Sequence, residues 1–212
     1  MKRIIFHRFH LVMIPAVLIM LLWIPEAKGQ EPTGPPRTGK WTERFANGKK
    51  KTEGKYLARK KDGKWTEWHS NGKKAANGKY KNGKREGEWK YWDRNGKKKY
   101  NESYKGGIHH GPWVGWYLTG RKQFEKKYFD GKPHGEWVEY WPTGDKKYVG
   151  TYVKGKKQGF WTGWHESGKK QYEGEYSDGR QEGLWKFWNF EGNRESDEQY
   201  KRGRRMAITP HK

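Results

Sequence analysis

The sequence predicts an all-β chain, a meander of roughly 14 antiparallel strands, and three periodic features carry that prediction. Gly39, Gly63, Gly87, Gly111, Gly135, Gly159 and Gly183 stand 24 residues apart without insertion or deletion, so one supersecondary unit is copied seven times. Each copy holds two turn signals about eleven residues apart, which is the spacing of hairpins and not of helix pairs. In the second strand of each copy, aromatic residues alternate with charged or polar ones, as expected where one sheet face is apolar and the other wet.

The elements follow in order within the copy. Two residues after the opening glycine comes a tryptophan in every copy: Trp41, Trp65, Trp89, Trp113, Trp137, Trp161 and Trp185. A second follows three residues on in five copies, at Trp68, Trp92, Trp116, Trp164 and Trp188. On a regular strand that spacing puts the two rings on opposite faces, unless a bulge brings both to one side. The first turn carries Gly48, Gly72, Gly96, Gly120, Gly144, Gly168 and Gly192, preceded by Asn in the first three copies. Asn-Gly is the preferred pair of a type I′ turn, so that turn type is expected here.

A basic residue stands two positions later in all copies: Lys50, Lys74, Lys98, Lys122, Lys146, Lys170 and Arg194. Placed beside a hairpin turn each time, these seven form a row along one side of the sheet, repeating every two strands at roughly 9.6 Å. The second strand then brings Tyr56, Tyr80, Tyr104, Tyr128, Tyr152, Tyr176 and Tyr200, the structural partners of the first tryptophans. Between the aromatics of this strand lie Gly54, Gly78, Gly150 and Gly174, which leave room for a neighbouring indole to cross the backbone. The second turn includes Asn82-Gly83, Gly106-Gly107, Asp130-Gly131 and Asp178-Gly179, and its glycine is missing only from the first copy.

Outside the array, residues 1–29 read as a secretory signal: Lys2, Arg3 and Arg8 precede an uncharged run from Leu11 to Pro25 and a small-x-small site at Ala27-Lys28-Gly29. An uncleaved membrane anchor is the competing reading, against which the run is short for a bilayer and Pro15 interrupts it. Residues 30–38 form a proline-rich linker, 39–206 the array, and 207–212 a basic tail expected to fray. Atypical capping is expected at Trp41 and Phe45 at one end and over Glu195 to Gln199 at the other. With no cysteine, neither disulfides nor an N-terminal lipidated cysteine is available.

The segment Gly174-Glu175-Tyr176-Ser177-Asp178-Gly179-Arg180-Gln181-Glu182-Gly183 has an aromatic-x-x-Gly-x-x-x-Gly shape, shared by 150–159. With the preceding Trp-x-x-Trp and Asn-Gly-Lys-Lys, each copy resembles the MORN-variant repeats of bacterial proteins, including those labelled YwqK-type antitoxins. The resemblance implies a twisted, single-layer antiparallel sheet and a role in binding or scaffolding. An antitoxin-like neutralising role is implied by the family labels alone.

A reaction centre needs different residue types converging from different places, whereas this array repeats one set, so the sequence predicts no enzyme and no cofactor. Glu43, Glu67 and Glu139 recur at one phase and read as exposed partners of the abundant lysines. His69, His109, His110, His134 and His165 lack metal-ligand spacing, although His109 and His134 fall at nearby phases of adjacent copies. The glycines sit at fixed turn phases, which removes phosphate-loop and dinucleotide readings.

The formal net charge of +23 attracts polyanions or anionic surfaces, and equally keeps an aromatic-rich sheet soluble and its edges from pairing. The expectation is a secreted or envelope-located binding or scaffold module that uses an extended basic, aromatic surface. Its partner is a protein, an anionic membrane surface or a wall polymer, with a glycan or other polyanion as the alternative. Nucleic acid is disfavoured by export, and no small-molecule substrate is expected.

Overall fold

The computed structural model describes residues 38–211; the signal segment 1–29, and all of the linker but Thr38, lie outside the described residues. The strands are β1 (Gly39–Arg44), β2 (Lys50–Leu57), β3 (Lys60–Trp68), β4 (Lys74–Lys81), β5 (Lys84–Trp92), β6 (Lys98–Lys105), β7 (Ile108–Trp116) and β8 (Lys122–Phe129). There follow β9 (Lys132–Pro133), β10 (Gly135–Tyr140), β11 (Lys146–Val153), β12 (Lys156–Trp164), β13 (Lys170–Ser177), β14 (Arg180–Trp188), β15 (Arg194–Lys201) and β16 (Arg204–Pro210). They form one open antiparallel sheet in sequence order, with β9 pairing only with β8 beside this path.

The strand number differs from the expected 14 for two reasons. Pro133, which has no amide hydrogen to donate, marks the interruption that splits one regular strand into β9 and β10. The segment expected to fray instead forms β16, hydrogen-bonded to β15. By phase β16 is the first strand of an eighth copy, with Ala207 in place of the opening glycine and Thr209 in place of the first tryptophan. It covers the edge that β15 would otherwise expose, and Pro210 blunts the new one.

The turn types are exchanged relative to expectation. At the first turn, the Phe45 amide donates to Lys49 O and the Gly48 amide to Phe45 O, both at 2.9 Å. Gly48 has φ +79° while Asn47 is not in the left-handed region, so this is a three-residue loop, a type I turn closed by a left-handed glycine. Asn47 serves through its side chain, whose Oδ1 accepts from the Lys49 amide at 3.1 Å. The type I′ geometry belongs to the second turn, where Asn82 and Gly83 have φ of 51° and 80°. In the first copy that turn is made by Ala58 and Arg59, at φ 47° and 61°, without a glycine or asparagine to ease it.

The opening glycine marks a bulge. From β2 to β3, pairing passes from Glu53↔Thr66 to Lys55↔Asp62, two steps on one strand against four on the other, and Gly63 takes φ +68° within it. The bulge swings Trp65 across Gly54, where an added Cβ would lie 2.3 Å from the indole. The Trp65 Nε1–H then donates to Lys55 O at 3.1 Å. Trp89, Trp137 and Trp185 donate to Lys79, Lys127 and Glu175 in the same way. The room foreseen at Gly54, Gly78, Gly150 and Gly174 is in each case filled by the next tryptophan.

No second layer covers the sheet among the described residues, so the core is the aromatic face itself. Its rings run edge to face along the array: Trp65 to Tyr80 at 5.9 Å, Tyr80 to Trp89 at 4.9 Å, Tyr152 to Trp161 at 5.2 Å and Tyr176 to Trp185 at 4.9 Å. Trp65, Trp89, Trp161 and Trp185 are almost wholly buried by this packing. The end of the array is looser, with Trp41 exposed beside Tyr56.

Candidate binding surface

The second tryptophans lie on the opposite face from the first. Trp65 is paired with Gly78, and Trp68 with Lys74, with no irregularity between Thr66 and Glu67 on the β2 side. Both faces therefore carry aromatic surface, and the invariant cations share theirs with the second row. The Lys50, Lys98 and Lys170 ammonium groups lie 5.6, 5.8 and 5.5 Å from the rings of Trp68, Trp116 and Trp188, and the Arg194 guanidinium 5.3 Å from Trp188.

The seven cations are not equivalent. Lys122 pairs with Glu125 at 2.9 Å and Lys170 with Glu173 at 2.7 Å, and Lys50 with Glu53 and Arg194 with Asp197 repeat the pattern. Hydrogen bonding to Lys122 and to Lys170 is the main reason that the carboxyls of Glu125 and Glu173 sit below their usual range. At Lys74, Lys98 and Lys146 the residue three positions on is Asn77, Asn101 or Val149, and none of the three makes an ion pair among the described residues. The charge available to a partner is thus concentrated in the second, third and fifth copies.

A separate set of cations is structural. Lys49, Lys73 and Lys97 reach the carbonyls of Asn71, Asn95 and Leu118 one copy ahead, at 2.9, 2.9 and 2.6 Å, and Arg121 and Lys169 do likewise. The residue after each second tryptophan adds another tie: His69 Nε2 to Trp92 O at 3.0 Å, Trp141 Nε1 to Trp164 O at 3.0 Å and His165 Nε2 to Trp188 O at 2.9 Å. Their signal, a basic residue directly after the turn glycine, is visible in the sequence at the same 24-residue period but was overshadowed by the more regular row next to it.

The aromatic face holds charges as well. Lys61, Arg85 and Lys157 lie over Trp65, Trp89 and Trp161 at 4.3, 4.7 and 4.2 Å, and burial pushes the Lys157 ammonium below its usual value. In the third and fourth copies the crossing glycine is replaced by Glu102 and Lys126. Glu102 is buried and accepts from the Tyr104 hydroxyl, which also accepts from Arg85 at 3.0 Å. Beside this pair Trp113 is only half-buried, and its indole N–H has no partner.

Glu139 departs from the expected exposed position. It is half-buried on the aromatic face, with Lys126 Nζ at 2.7 Å, whereas Glu43 pairs with Lys51 at 2.9 Å in the open. The bulge and tyrosine spacing turn that phase inward in the later copies. His109 stacks on Trp113, and His134 lies against Phe129 on the other face, so their similar phases do not bring them together. Among the described residues no group of three or more His, Asp or Glu side chains is placed to hold a metal.

Comparison with known families agrees with this geometry. Residues 61–82, 85–105, 133–154 and 157–178 match the family model described as MORN repeat variant. The match reaches the repeat type and not the YwqK-type subgroup. No curated protein matches the chain significantly.

Proposed function

We propose that this chain, a MORN-repeat-variant protein, is a non-enzymatic binding or scaffold module of the cell envelope that engages an extended anionic partner through the face bearing its second tryptophans. The observation that carries the reading is the row of half-buried indoles Trp68, Trp92, Trp116, Trp164 and Trp188 beside cations at the same period, three of which lack a carboxylate. Half-exposed rings flanked by cations offer apolar contact and charge at once, and a flat periodic surface suits a linear polymer, a membrane plane or a long protein face. The N-terminal signal pattern supports export.

The test is a pull-down of the exported protein from envelope extracts at low and high salt, in parallel with the K74E/K98E/K146E variant. Capture that falls with salt and is lost in the variant, with an unchanged far-UV spectrum, supports the reading. Salt-independent capture that survives the triple reversal retires it.

A further inference from the structure

The other side of the same face, along the second turns, carries an apolar interruption in an otherwise basic border. The strand following each second turn opens with Lys or Arg in every copy except one, where Ile108 stands. In neighbouring copies Phe129 and Val153 replace the lysine found at Lys81, Lys105 and Lys201. All three apolar side chains are exposed, Phe129 at 54%. They lie close together, since Ile108 Cγ2 reaches the turn glycine Gly131 that follows Phe129 and Asp130.

Phe129 is exposed yet held. Its ring is flanked by His110 at 4.9 Å and His134 at 5.7 Å, and His110 Nδ1 lies 3.1 Å from Asp130 Oδ1. Beside it a depression of about 430 Å³ is lined by Phe129, Asp130, Lys132, His134 and Lys154. The rim is basic: Lys132 and Lys154 line it and Lys105 pairs with Ile108 across the hairpin, while the one lining carboxylate, Asp130, is taken by His110. The block that supplies Ile108, His110 and Phe129 falls in 106–132, the interior stretch between the matched repeats.

We propose that this site docks an acidic protein segment through a single apolar anchor. The anchor seats against Phe129 between the two histidines, and carboxylates on either side of it meet Lys132, Lys154 and Lys105. An isolated apolar spot within a cationic rim fits one anchor residue with charged flanks. A second copy of this chain is a poor occupant, because its acidic stretch is already engaged: Asp197 by Arg194 and His211, Glu198 by Tyr200 and Arg205. The proposal does not depend on the lysine row, which lies at the other end of the strands, roughly 23 Å away over seven residues.

The test uses the full chain and three probes: a twelve-residue Asp/Glu peptide with one central Phe, its Phe→Ala twin, and vesicles containing an anionic phospholipid. Binding is followed through the methyl signals of Ile108 and Val153. The Phe peptide is expected to bind at least about tenfold more tightly than its twin, the return for burying one aromatic anchor. Phe129→Lys, which restores the residue of neighbouring copies at an exposed position, should bring the two to the same affinity, and so should Ile108→Lys in part. K132E/K154E should weaken the Phe peptide about tenfold or more. K74E/K98E/K146E should leave it unchanged, so failure here and failure of the lysine-row reading are told apart. Equal affinity for peptide and twin, indifference to Phe129→Lys, or a Phe129 requirement seen with vesicles and not with the peptide would overturn the proposal.

Discussion

Gly78→Ala tests the claim that glycine in the second strand is there for an indole and not for the backbone. The φ of Gly78 lies outside the left-handed region, so alanine fits its backbone, and on that ground alone the substitution should stabilise by about 0.4–1 kcal/mol. The added Cβ, however, would meet Trp89 ring atoms at 2.3, 2.4 and 2.5 Å. That ring is fully buried, bonded through Nε1 to Lys79 O at 3.0 Å, backed by Tyr80 and covered by Arg85. Restoring ordinary contact requires lifting it by more than about 1 Å, which breaks that bond and displaces the guanidinium.

The cost lies between overpacking, about 1–3 kcal/mol, and loss of the ring altogether, about 3–5 kcal/mol, so we expect close to 3 kcal/mol. Urea unfolding followed by far-UV circular dichroism measures it, with the slope compared between variants because arrays need not unfold in two states. In a Trp89→Ala background Gly78→Ala should become neutral or stabilising, a coupling of roughly 3 kcal/mol. A single variant as stable as wild type, or an equal loss in both backgrounds, would refute the packing argument.

Replacing Ala58-Arg59 by Asn-Gly should stabilise the first copy by about 1–2 kcal/mol, because both residues now occupy the left-handed region; an unchanged urea midpoint would count against it. Trp89→Ala should cost about 3–5 kcal/mol and the half-buried Trp113→Ala distinctly less, which the same unfolding assay ranks. Burial works to raise the Glu139 carboxyl, but hydrogen bonds from Lys126 and Tyr148 outweigh it and hold it below its ordinary 4.5. Its folded value being the lower one, its contribution is present above about pH 4.5 and is lost as pH falls through the folded value. Glu139→Gln should therefore flatten the acid side of the melting-temperature profile, and an identical slope in both proteins would dismiss the pair as a stabilising element.

The hairpin order, the aromatic face and the indole crossings were legible because each depends on residue type at a fixed phase. A glycine between two aromatics can be read as space for a ring without knowing any angle. Turn geometry was less accessible: Asn47-Gly48 and Asn82-Gly83 are the same dipeptide, yet the first belongs to a three-residue loop and the second to a two-residue one. What separates them is the pairing of the flanking strands, fixed by the bulge at Gly63 and its equivalents, and a bulge has no residue signature of its own beyond that glycine. The same bulge kept the two tryptophan rows ambiguous. The inward turn of Glu139 was hidden because an alternation argument assigns faces by strand and not by what the next strand places against it.

In a repeated sheet, what all copies share is first of all what every copy needs in order to fold. The turn glycines, the first tryptophans and the tyrosines answer to that need, and even the invariant cations answer to it in part, since four of the seven hold a carboxylate three residues on. Binding specificity has to come from departures from the period, because a partner that reads only the period can slide along it by one copy without loss. The departures cluster in the middle of the array. Glu102 and Lys126 take the place of crossing glycines, Ile108 and Phe129 interrupt a basic border, and Lys98 and Lys146 lack the carboxylate found beside Lys122. A partner held by the rows and registered by these central residues would have a single docked position, which the periodic surface alone cannot give it.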